Sequence, residues 1–121
     1  MAFDWNDYLG FAEALNNSVE TDLVEARKRS VVSRAYYAAY CIARDFAVKK
    51  DRLVISNQEN SHTTVITHFQ NHNKRHGVYL SLLELRRWRN MCDYEPEVNN
   101  LQSIAVNSLQ KARNAIRLIQ N

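Results

Sequence analysis

The segment LELRRWRNMCDYEPE, residues 83–97, joins helical periodicity to an anomaly. On a helix of 3.6 residues per turn, Val78, Leu82, Leu85 and Cys92 fall within about a quarter turn of one another, and Arg89 lies among them. A guanidinium on an apolar stripe costs free energy unless it is paired. Asp93 follows one turn later on the same face, and Asn90 stands one turn beyond Arg86. Two explanations are open at this point. Arg89 and Asp93 form a structural ion pair that closes a helix end or a dimer seam, or Arg89 serves a phosphate, whose oxygens a planar guanidinium matches in bidentate fashion.

Working outward, Pro96 ends this helix, because the residue before a proline is biased away from helix, and the helix is expected from Val78 to about Tyr94. Downstream, Leu101, Ile104, Ala105, Leu109, Ala112, Ile116 and Ile119 repeat at helical spacing and predict a last helix over 98–119. Upstream, Trp5, Tyr8, Leu9, Ala12 and Leu15 predict a short amphipathic helix over 4–16. A long second helix, about 40 Å, runs from an N-cap at Thr21 to Lys49 and Lys50, with Asp22 and Glu25 in its first turn. Its apolar arc covers roughly half the circumference, so it should be packed from more than one side. Small residues at 35, 38, 39 and 43 allow close approach, and Tyr36, Tyr37 and Tyr40 add area with polar tips. Residues 51–61 form a polar break, read as a mobile loop; Ser61 caps a third helix that ends around NHNKRHG, with Asn73 and Gly77 as stop signals. The expected architecture is an all-α, up-and-down bundle of four to five helices around the long second one, in a single domain over 1–121.

Composition agrees. Two glycines and one proline in 121 residues leave little turn chemistry for hairpins, which favours helices. The net charge of +3, with arginines outnumbering lysines, suits phosphate or nucleic-acid contact and equally a solvated helical surface. Cys41 and Cys92 stand alone and form no zinc or redox motif, so buried free thiols are expected. The apolar run at 35–43 is far shorter than the roughly 20 residues of a membrane span. The N-terminus lacks the pattern of a secretory signal. A soluble, cytoplasmic protein with no membrane partner is expected.

Glycine-rich phosphate loops, H-E-x-x-H and G-x-S-x-G are absent from the sequence, and no spacing arranges Ser, His and Asp as a triad. His68, His72 and His76 recur every four residues and would share a helical face. No carboxylate or cysteine completes the set, and His76 lies in the stop signal, so an exposed polar face is expected there, with no metal and no cofactor.

Three blocks taken together, SRAYYAAYCIARDFA at 33–47, SHTTVITHF at 61–69 and LRRWRNMCDYEPE at 85–97, resemble the HEPN domains of prokaryotes, in particular a small stand-alone subgroup. The resemblance implies a helical bundle that pairs into a homodimer, often encoded beside a minimal nucleotidyltransferase as a toxin and antitoxin pair. It also implies a metal-independent endoribonuclease in toxicity or defence. The family's nuclease motif is an Arg, a polar residue and, four to six residues on, a His. Arg89 and Asn90 match; Tyr94 stands where the His is expected, in an Asp-Tyr ending similar to that of the subgroup. The tyrosine that some relatives carry as a target for nucleotide transfer is Pro96 here, a departure that puts that regulation in doubt for this chain.

Cleaving RNA without a metal needs a base, an acid and a cation for the developing charge on the phosphate. Arg89 and its mate across a dimer would supply the cation. Tyrosine, with an ordinary pKa of about 10, is a poor base near neutrality. His62, in the matched second block, is the candidate substitute; the other reading is that it caps or packs at the helix start. The expected cleft is lined by Arg89, Asn90 and Asp93, assisted by Tyr94 or His62, with Arg34, Tyr37 and Arg86 meeting RNA or a nucleotide. The competing expectation is a module that binds RNA, a nucleotide or its nucleotidyltransferase partner through the same Arg without chemistry. A third is a purely structural dimer tied by Arg89 and Asp93.

Overall fold

The structure, a computed structural model, describes residues 2–56 and 60–121. Of the polar break read at 51–61, residues 57–59 lie outside the described residues. The described chain is an all-α bundle: α1 (Asn6–Asn16), α2 (Val24–Lys49), α3 (Ser61–His68), α4 (His76–Tyr94) and α5 (Leu101–Gln120). No helix among the described residues is long and apolar enough to cross a membrane.

α2 is the axis. It touches all four other helices, as its wide apolar arc requires, and Val31, Val32, Ala35, Tyr36, Ala38, Ala39 and Ala43 are fully buried along it. All of these but Tyr36 are alanine or valine, and such small side chains let neighbouring backbones come close while the interior stays densely packed. Both cysteines are buried and free. α5 also packs on α4, and α3 lies across α2 and α4.

Several helix ends differ from the sequence reading. α2 starts at Val24, and its N-cap position is Leu23, in the left-handed region at φ 56°; the Leu23 carbonyl accepts the first intrahelical bond from Arg27 N–H at 2.9 Å. Thr21 therefore lies two residues before the N-cap and makes no cap, since a capping side chain must sit on the N-cap residue itself. Ser61 is likewise the first helical residue, with Asn60 before it making no side-chain cap. α3 closes at His68 in a series of tight turns, and α4 already begins at His76. Gly77 is thus not a stop but a point of contact in the first turn of α4: a Cβ there would stand 2.8 Å from Leu118 Cδ1 of α5. α5 begins at Leu101 because Asn100 turns the chain through φ 60°, a conformation that asparagine tolerates.

The C-terminal end of α4 is held from outside. Glu95 is extended ahead of Pro96, as expected, and Arg29 of α2 donates to the carbonyls of Cys92 (2.9 Å), Glu95 (2.7 Å) and Pro96 (3.1 Å) while pairing with Glu25 at 3.1 Å. One guanidinium thereby satisfies carbonyls that a helix terminus leaves without partners. This latch fixes the position of the helix that carries Arg89.

Candidate functional site

Arg89 is only 7% exposed, as its place on the apolar stripe demands. Its guanidinium lies over two rings of α2, 5.3 Å from the centroid of Tyr36 and 5.2 Å from that of Tyr37. Cation–π contact of this kind offsets part of the desolvation cost, by about 2 kcal/mol when buried. The carboxylate does less. Asp93 Oδ2 stands 3.6 Å from Arg89 Nη1, beyond hydrogen-bonding distance, and Arg89 Nε is buried without a hydrogen-bond partner among the described residues. A buried cation held so loosely is a poor structural tie, because breaking even or better requires close geometry.

Three further groups converge on the same rings. His62, in the first turn of α3, places Nδ1 2.5 Å from the Tyr36 hydroxyl and stacks on Tyr40 at 4.1 Å between centroids. Arg86, one turn before Arg89, donates from Nη1 to Thr63 Oγ1 at 3.2 Å, and its Nε is also buried without a partner among the described residues. Arg34 lies over Tyr8 (4.9 Å) and Tyr37 (5.2 Å) and lines a cleft of about 300 Å³ with Trp5, Tyr8, Tyr37 and Cys41. Arg44 continues the row over Trp5 and Tyr40, its charge shared with Asp45 at 3.2 Å. Three cations, Arg34, Arg89 and Arg44, thus stand among four rings, Tyr37, Tyr36, His62 and Tyr40. Tyr36, Tyr40 and Arg89 are buried, so the half-buried Arg34, Tyr37 and Arg44 are the members of the row open to a nucleic-acid strand, whose phosphates seek cations and whose bases seek flat apolar faces.

Burial, then the charges of Arg86, Arg89 and Arg44, pull the His62 imidazole from 6.5 down to about 4, so it is neutral near pH 7. Burial pushes the Tyr36 phenol well above its ordinary 10, so its proton stays on. Their hydrogen bond has two forms. If Tyr36 donates to Nδ1, His62 presents Nε2–H, a donor for a phosphate oxygen; if Nδ1–H donates to Tyr36, Nε2 keeps its lone pair and can take a proton.

Not every expected residue joins this cluster. Arg89, Arg86, His62, Tyr37 and Arg34 come together, and Asp93 lies at its edge. Asn90 is exposed, on the neighbouring face from buried Arg89, as consecutive helical residues must be. Tyr94 is 74% exposed at the last turn of α4. Comparisons with known proteins found no matching family model, no matching curated protein and no matching solved structure. The guide to what the site does is therefore its own chemistry.

Sequence reasoning misses three members. Periodicity marks Tyr36 and Tyr40 as packing and Arg44 as a flanking charge, although their spacing of four on α2 puts them on one face. The histidine reading also needs correction. His68, His72 and His76 do not share a helical face, because α3 ends at His68; His76 Nδ1 turns to the Gln70 carbonyl at 2.6 Å. A carboxylate does complete a set: Asp51 Oδ2 lies 2.8 Å from His68 Nε2 and 3.2 Å from His72 Nε2. Asp51 is 17 residues from His68, beyond the reach of any local spacing rule.

Proposed function

We propose that this chain is a HEPN-type endoribonuclease of a toxin or defence system, working as a homodimer without metal and restrained by a minimal nucleotidyltransferase partner. The observation that carries this reading is that His62 and Arg89 meet on one tyrosine, Tyr36. The motif His replaced by Tyr94 thereby has a substitute from another helix, beside the cation. In this reading Arg86 and Arg89 supply the positive charge beside which the scissile phosphate sits. His62, as the tautomer with a free Nε2, takes the 2'-hydroxyl proton. The oxygen attacks phosphorus, the bond from phosphorus to the 5'-oxygen of the next nucleotide breaks, that oxygen takes a proton from water, and a 2',3'-cyclic phosphate remains. Arg34 and Tyr37 meet a flanking base, and Arg89 of a second copy adds a further cation.

The test is incubation of purified protein with end-labelled RNA in EDTA, with Arg89→Ala and His62→Ala alongside. Cleavage by the wild type alone, leaving cyclic-phosphate ends, is expected; products of equal yield from Arg89→Ala overturn the reading.

A second reading, a non-catalytic module binding RNA or a nucleotide, is favoured by the depressed His62 pKa, since a base near 4 has little driving force to accept a hydroxyl proton. It expects salt-sensitive binding that Arg89→Ala weakens, with no product from the wild type.

A further inference from the structure

Asp51, His68 and His72 lie away from the Arg89 cluster, at the opposite end of α3 from His62, and the proposed function does not use them. We propose that they form a binding site for a borderline divalent transition ion, Zn²⁺ being the representative case. The two imidazole Nε2 atoms stand 2.8 and 3.2 Å from the same carboxylate oxygen, and all three ligand atoms lie within 4.8 Å of one another. Donors on a tetrahedral ion with arms of about 2.0–2.1 Å are separated by roughly 3.3 Å, so only small movements would seat one.

The ligands are held in place before any ion arrives. Phe69 is fully buried between the histidines and contacts both rings, His68 edge-on at 4.9 Å and His72 face to face at 5.8 Å. The Leu53 N–H to Ala47 carbonyl bond, 2.9 Å, fixes the turn that carries Asp51 beyond α2. Two imidazoles and a carboxylate match zinc, cobalt or nickel rather than magnesium or calcium, which seek all-oxygen shells, and three protein ligands leave a fourth position for water. Coordination through Nε2 moves the His72 proton to Nδ1, so the bond that Nδ1 accepts from Lys74 N–H must open; at 3.3 Å in an exposed turn it is already long. The bound ion would tie the end of α2 to the end of α3 and the turn after it.

The chelator-stripped full chain is titrated with Zn²⁺ by calorimetry and with Co²⁺ by visible absorption. One ion per chain, intense bands of tetrahedral Co²⁺ and a higher melting temperature with Zn²⁺ are expected. His68→Ala and His72→Ala should each weaken binding by more than the roughly 10–100-fold that loss of an outer partner costs, while His76→Ala binds as the wild type does. Absence of saturable binding at one ion per chain, or unchanged affinity in both variants, overturns the proposal. Should a variant fail to fold, proton NMR of the wild type decides: Zn²⁺ must shift the ring signals of His68 and His72 and leave those of His62 and His76.

Discussion

Replacing Arg89 by methionine separates a functional cation from a structural one. The side chain is buried, and among the described residues its ion-pair carboxylate is 3.6 Å away and its Nε has no partner, so an apolar residue of similar volume should leave stability unchanged or raise it by about 1–4 kcal/mol. Chemical denaturation should show this while RNA binding falls; a loss of stability instead would mark Arg89 as a structural tie. His62 predicts a pH dependence. Unfolded, it takes up its proton near 6.5; folded, it does so near 4. Between those values the unfolded chain binds more protons, so stability is complete above about pH 6.5 and declines as pH falls toward 4. Because the ring is only half-buried, solvent screening reduces the effect to the order of 1 kcal/mol. Urea titrations at pH 7 and pH 4.5 should show the decline, and His62→Phe should flatten the part of it that this ring supplies.

Among the helices, α4 depends most on a remote residue. Arg29→Met should remove three charge-assisted bonds to the carbonyls of Cys92, Glu95 and Pro96, at a cost of about 1–3 kcal/mol, since the exposed carbonyls regain water in part. A shift of the urea midpoint with the slope unchanged is the expected readout, and amide exchange should quicken first in the last turn of α4. α3 is the element least legible in the sequence. Eight residues hold only two buried side chains, Val65 and Ile66, too few for periodicity to fix its ends. Its polar flank, which looks like a stop signal, instead supplies two turns and the start of α4.

At the scale of the molecule, the proposed nuclease requires two chains, so sedimentation should report a mass near twice 14.1 kDa; a monomer at the concentrations where RNA is cleaved would remove the composite cleft. RNA affinity should fall steeply with salt. On single strands each neutralised phosphate adds about −0.7 to the slope of log K against log salt, so Arg89→Ala should flatten that slope by roughly this amount for each phosphate that Arg89 meets. An unchanged slope would mean that Arg89 does not meet a phosphate.

Periodicity and punctuation were enough for the all-α class, the centrality of α2, the stop at Pro96 and the burial of Arg89 on an apolar stripe. Each depends on residues within a few turns of one another, where spacing fixes which side chains share a face. The partners of those side chains were another matter. That Arg89 rests on Tyr36 and Tyr37 rather than tightly on Asp93, that His62 reaches Tyr36 across 26 residues, that Arg29 caps a helix more than 60 residues away and that Asp51 joins His68 and His72 were all settled by the packing of α3 and α4 on α2. Local spacing determines a face; only the tertiary fold determines what the face meets.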